Sequence, residues 1–137
     1  MSFPYARQSA FPFPILPITL HRADGAAISP LLHAQVDTGA EMTIVPAHYL
    51  QPVAADFLQT VRLRSHWGEP RIVKLYLVDL LIGAERLSAV EVAADKQDDG
   101  ILLGRNLLNR LILLLDGVHT STDVLTRRPS RLPVSGG

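Results

Sequence analysis

Residues 34–40 have the sequence Ala34-Gln35-Val36-Asp37-Thr38-Gly39-Ala40. The first residues are typical of an apolar strand, and a second apolar strand, Met42 to Val45, follows almost at once. A carboxylate between two strands of this kind is costly to ionise unless hydrogen bonds or a partner stabilise its charge. Asp37 is therefore the first candidate for a functional residue.

A second motif lies further along the chain, Gly100-Ile101-Leu102-Leu103-Gly104-Arg105-Asn106-Leu107-Leu108. It predicts a short strand buried on both faces, then Gly-Arg-Asn, then a helical segment. The two motifs, in this order, resemble the retropepsin family, the single-domain aspartic proteases of retroviruses and their cellular relatives. The resemblance implies an all-β fold, a closed barrel-like domain with one short C-terminal helix, assembled as a two-fold homodimer.

Composition sets limits on other functions. A chain of 137 residues with 47% hydrophobic residues is long enough to form one globular domain with its own core. It has no cysteine, which excludes disulfides and thiolate zinc sites, and its five histidines show no metal-ligand spacing. Thirteen basic residues balance thirteen acidic ones, so bulk charge favours neither nucleic-acid nor membrane binding. We expect no metal and no cofactor.

Three regions are predicted along the chain. Residues 1–14 alternate prolines with aromatics and form an N-terminal arm, which either packs across a dimer interface or is a disordered leader. Residues 15–125 form the domain, and residues 126–137 form a flexible basic tail. The start lacks the pattern of a signal peptide, and the longest apolar run, Leu111 to Leu115, is too short to span a bilayer. A cytoplasmic protein is expected.

A hairpin is predicted to lead to Asp37. Ile15 to His21 forms its first strand, Ala23-Asp24-Gly25 its turn, and Ile28 to Val36 its returning strand. Pro30 should lie at an edge or bulge of the returning strand, because proline lacks an N–H group.

Two further strands, Val61 to Arg64 and Arg71 to Leu80, flank a segment that contains Trp67 and Gly68. Their place in the chain resembles the retropepsin flap, the hairpin that closes over bound peptide, with Trp67 as the lid residue. The alternative is a loop tryptophan that folds back on the core.

The resemblance also implies roles for the residues around Asp37. Thr38 would hydrogen-bond across the dimer axis, and Gly39 would let the substrate backbone approach. Ala40 and Glu41 would contact the peptide together with the flap residues. Glu41 stands where family members often have Asp, and it would form an ion pair with Arg105 that braces the loop. The alternative is that Glu41 and Arg105 are two separate surface charges.

Hydrolysis of an amide by carboxylates needs one group to take a proton from water and another to give one to the substrate. The chain has one Asp-Thr-Gly, and a two-fold dimer would bring two copies of Asp37 together. We therefore expect a homodimeric aspartic endopeptidase that acts on peptides or proteins. The alternatives are a non-catalytic dimerisation or peptide-binding module of the same fold, and a monomer whose site another protein completes.

Overall fold

The computed structural model describes residues 1–25, 27–64, 69–95 and 100–130, and within these ranges β-structure dominates. In chain order the described elements are β1 (Ser2–Pro4), β2 (Ile15–His21), β3 (Leu32–Val36), β4 (Thr43–Pro46), α1 (Ala47–Leu50), β5 (Asp56–Arg64), β6 (Pro70–Ile82), β7 (Glu85–Asp95), β8 (Ile101–Leu103), α2 (Arg105–Leu108), β9 (Ile112–Asp116) and β10 (Ser121–Leu125). Among the described residues, no helix has the length and apolar character needed to cross a membrane.

The larger sheet closes on itself. Within the described residues its strand order is β2-β3-β8-β4-β7-β6-β5, and an additional pairing joins β2 to β6. Six strands therefore form a closed barrel, and β5 pairs with β6 outside the ring. Side chains alternate between the faces of a strand, and Leu16, Ile18 and Leu20 of β2 point into a fully buried core. The predicted all-β, closed barrel-like domain with a short helix towards its C-terminal end is confirmed, and the helix begins at Arg105, within Gly-Arg-Asn.

Parallel pairing of β3 with β8 positions the two sequence motifs. Val36 at the end of β3 lies opposite Leu103 at the end of β8. Because the two strands run in the same direction, Asp37 and Gly104 leave the sheet side by side. The two motifs, far apart in the sequence, thus meet at one edge of the barrel.

The hairpin before Asp37 forms, but its returning strand is shorter than the prediction. β3 begins at Leu32, and Ile28 makes only an isolated bridge to His21. Pro30, which lies between them, has no N–H to donate to a ladder. The Ser29 hydroxyl instead accepts the N–H of Leu20 at 2.8 Å, which closes this gap in the strand pairing.

The N-terminal arm pairs with its own chain. β1 lies antiparallel to β10, with Phe3 opposite Thr122, and β9 completes a three-stranded sheet of order β1-β10-β9. The sequence predicted that the arm either packs across a dimer interface or is a disordered leader, and neither alternative included this pairing within the chain.

β5 and β6 form the long antiparallel ribbon that the sequence predicts, with Leu63 opposite Arg71 near its end. The ribbon starts earlier than predicted, at Asp56. The predicted flap residues Trp67 and Gly68 lie outside the described residues.

Candidate active site

Asp37 follows the last residue of β3 and is half-buried at the start of a tight turn. Its backbone N–H donates to the carbonyl of Leu103 at 3.1 Å, which ties the residue to β8. Its carboxylate Oδ1 accepts the N–H of Gly39 at 3.0 Å, and its carbonyl accepts the N–H of Ala40 at 3.2 Å. The carboxylate is therefore held in a defined orientation by its own loop.

Gly39 lies close to the Asp37 carboxylate, so there is little space for a side chain at this position. A Cβ atom at this position would lie 3.3 Å from Asp37 Oδ1, closer than most such contacts. Thr38 and Gly39 are both exposed, so this edge of the loop faces outward from the single chain.

The N-terminal end of α2 braces the loop. Arg105 Nη1 donates to the carbonyl of Thr38 at 3.0 Å, and the Arg105 N–H donates to the carbonyl of Ala40 at 2.8 Å. The Asn106 N–H donates to the carbonyl of Glu41 at 3.1 Å. Three hydrogen bonds thus fix residues 38–41 against the helix.

The predicted ion pair between Glu41 and Arg105 is not among the ion pairs of the described residues. The Arg105 guanidinium contacts the Thr38 carbonyl instead, and the Glu41 side chain is exposed. Arg105 does contact the loop, as the resemblance implies, but through a backbone oxygen.

A buried network behind the loop involves residues to which sequence reasoning assigned no role. Asn106 Oδ1 accepts both the N–H and the hydroxyl of Thr43, at 2.9 and 2.8 Å, while Asn106 Nδ2 donates to the carbonyl of Glu91 at 2.8 Å. The fully buried Thr43 hydroxyl in turn accepts the N–H of Gly104 at 3.0 Å. The network therefore joins β4, β7 and α2. The feature of the sequence that indicated this network is the Asn of Gly-Arg-Asn. A polar side chain directly after a buried strand needs hydrogen-bond partners.

Gly104 lies against the backbone of Met42 and Thr43, at the start of β4. A Cβ atom at this position would lie 2.4 Å from the carbonyl carbon of Met42, 2.6 Å from its oxygen and 2.8 Å from Thr43 N. Only glycine permits this approach, which brings the helix end close enough to brace the loop.

A cavity of about 440 Å³ opens beside Asp37. It is lined by Asp37, Gly39, Ala40, Glu41, Met42, Ile44, Leu63, Arg64, Leu102 and Arg105. Four of the other predicted site residues, Gly39, Ala40, Glu41 and Arg105, thus line the same cavity as Asp37, together with Leu63 and Arg64 of β5. A larger cavity, of about 740 Å³, lies between α1 and the ribbon, and Asp37 does not line it.

Within the described ranges, no three His, Asp or Glu side chains lie close enough together to hold an ion.

Comparison with known proteins shows likeness in structure. No family model matches the chain, and no curated protein matches it. Among solved structures, a retropepsin-like aspartic protease from Rickettsia conorii has a TM-score of 0.60 at 16% identity over 90% of this chain and 90% of that chain. The EIAV protease in complex with the inhibitor HBY-793 has a TM-score of 0.55 at 15% identity over 77% of this chain and 93% of that chain. The retroviral protease-like domain of Ddi1 from Leishmania major has a TM-score of 0.50 at 19% identity over 82% of this chain and 90% of that chain.

Proposed function

Starting from a chain that has the retropepsin-like fold, we propose that it is an aspartic endopeptidase which works as a homodimer and uses Asp37 from each subunit. The observation that carries the proposal is the placement of Asp37. Its carboxylate is oriented by the Gly39 N–H in a loop braced by α2, and it lines a cavity large enough for peptide side chains.

The chemistry needs a second carboxylate. In a two-fold dimer each subunit presents the same surface, so the two Asp37 loops would meet at the axis. Two carboxylates that lie within hydrogen-bond distance of each other share one proton, as in aspartic protease dyads generally. One Asp37 would take a proton from water while the other gives one to the substrate carbonyl, and titration would belong to the pair. The exposed Thr38 is available for contacts across this axis.

The small sheet supports a dimer. Among the strands that the structure describes, β9 is an edge strand of the order β1-β10-β9, so one side of its backbone is not paired in that sheet. Ile112, Leu114 and Leu115 of this strand are 38%, 47% and 45% exposed. An apolar edge strand of this kind is a template for pairing with another chain. Antiparallel pairing of β9 with its copy would satisfy this backbone edge and place the apolar side chains beside those of the copy on both faces of the joined sheet.

The β5–β6 ribbon is proposed to close over bound peptide. It lies beside the cavity, since Leu63 and Arg64 at its end line the cavity with Asp37. Trp67 and Gly68, the proposed lid residues, follow directly along the chain. With Ala40 and Glu41 they would form the peptide-binding surface.

Cleavage of a random peptide library tests the proposal, at acidic and neutral pH, with wild type, Asp37→Asn and the control Asp24→Asn. Asp24 lies in the exposed turn between β2 and β3, where the same change of charge is remote from the site. We expect cleavage by wild type and by the control, and a loss of about 10³-fold or more in Asp37→Asn, the size expected when a catalytic group is removed. Full activity of a folded Asp37→Asn would refute it.

A non-catalytic dimerisation or peptide-binding module is the second candidate. Fold alone does not settle activity, and one structural neighbour is described only as a retroviral protease-like domain. A wild-type protein that dimerises and binds library peptides without cutting them would favour this function.

A further inference from the structure

Arg64 is an exposed residue at the end of β5, and it lies between two cavities. It lines the cavity that contains Asp37 and also a neighbouring one of about 120 Å³. Both cavities are lined by Ile44, Leu63 and Arg64, so they are adjacent, and together they are called the groove below. An extended ligand that occupies both cavities therefore lies beside the Arg64 side chain.

The other arginines of this groove already have partners. The Arg105 guanidinium donates to the Thr38 carbonyl, and Arg71 Nη2 lies 3.3 Å from Asp95 Oδ1. In the part of the chain that the structure describes, Arg64 forms no ion pair, and none joins it to Glu41 on the same cavity. The Arg64 guanidinium is thus available to a ligand.

The smaller cavity has a mostly apolar lining. Besides the shared residues, its wall consists of Val73, Ala93 and Ala94 and of the ion pair between Arg71 and Asp95. A cavity of this size and lining fits an aliphatic side chain. The groove therefore offers an aliphatic subsite with a cation at its mouth.

We propose that Arg64 is a specificity-determining residue that selects peptides with an acidic side chain next to an aliphatic one. This inference rests on the proposed function and names its substrate class. A guanidinium matches a carboxylate with two parallel hydrogen bonds, and few other ligand groups fit it as well. In a two-fold dimer both copies of Arg64 flank the scissile bond, so the preference for an acid extends to equivalent positions on either side.

Arg62 provides a matched control. It is an exposed arginine on the same strand, two residues earlier, and it lines neither cavity. Arg62→Gln therefore makes the same change of charge outside the groove.

The first step is to digest one peptide library with wild type, Arg64→Gln, Arg64→Glu and Arg62→Gln, and to sequence the cut sites that each protein produces. The second step is to measure kcat/KM on two peptides that differ only in having Glu or Gln at the enriched position. We expect wild type and Arg62→Gln to prefer the Glu peptide by roughly fivefold, the effect of one partly exposed ion pair. Arg64→Gln should lose this preference, and Arg64→Glu should favour Lys or Arg at that position.

Each other result overturns the inference. Wild-type cut sites without acidic enrichment, or enrichment that persists in Arg64→Glu, would refute the role of Arg64 and leave the endopeptidase intact. Absence of any wild-type cleavage would refute the proposed function and the inference with it.

Discussion

Gly104→Ala should displace the helix that braces the loop of Asp37. The added methyl carbon would lie 2.4 Å from the carbonyl carbon of Met42, whereas ordinary contacts begin near 3.4 Å. The neighbouring atoms belong to backbone, so no flexible side chain can move aside. The two segments must therefore separate by about 1 Å, which stretches the hydrogen bond from the Gly104 N–H to the Thr43 hydroxyl.

The magnitude follows from these contacts. Forcing an extra carbon into a packed interior lowers the free energy of unfolding by about 1–3 kcal/mol, and a weakened buried hydrogen bond adds about 1 kcal/mol. We expect a loss of about 2–4 kcal/mol in total. A shift of about 1 Å near the reacting groups also lowers catalytic efficiency by about 100-fold.

Urea denaturation followed by circular dichroism measures the first effect, and kcat/KM on a cleaved peptide measures the second. With a slope of about 2 kcal/mol/M, the midpoint of Gly104→Ala should fall by about 1 M or more. Gly117→Ala is the control, because a Cβ there meets nothing within 4 Å, and it should change the free energy by less than about 0.5 kcal/mol. Equal midpoints for the two variants would refute the reasoning.

Two further predictions concern stability in acid and dimerisation. The Ala89 N–H and the Arg86 guanidinium hold the pKa of the buried Asp79 below its usual range, so its stabilising effect is complete above about pH 4 and is lost as the pH falls through the lowered pKa. In urea titrations at neutral pH, the free energy of unfolding of Asp79→Asn should therefore be about 1–2 kcal/mol lower than that of wild type. This difference should become smaller below about pH 4. A difference that grows below about pH 4 would contradict the lowered pKa of Asp79. Leu114→Lys on β9 should raise the dimer dissociation constant at least about tenfold in sedimentation experiments, while the control Ile72→Lys, at an exposed residue of β6, should not; equal effects would argue against the β9 interface.

Local patterns predicted much of this fold. Alternation and turn residues are properties of neighbouring positions, so the hairpin before Asp37 and the ribbon from β5 to β6 could be recognised from the chain. The motif around Gly104 gave the buried strand β8 and the short helix after it. Proline chemistry also explains why β3 starts at Leu32, although the sequence pattern alone suggested Ile28.

Contacts between distant residues could not be predicted in this way. Closure of the barrel depends on Leu20 facing Leu80, a pairing that no periodicity specifies. The hydrogen bond from Arg105 to the Thr38 carbonyl depends on the pairing of β3 with β8, because this pairing brings the two residues together. The partners of Asn106, Thr43 and Glu91, likewise come from two other elements, β4 and β7, that lie far from Asn106 in the sequence.

Mixing wild type with Asp37→Asn tests most directly whether two copies of Asp37 form one site. The subunits are mixed at a fixed total concentration and allowed to exchange, and peptide cleavage is measured as the wild-type fraction varies, with Asp24→Asn as the control partner. If both copies are needed, random pairing predicts activity that falls with the square of the wild-type fraction, to about one quarter at an equal mixture. Activity that falls in direct proportion, to about one half, would contradict a shared site.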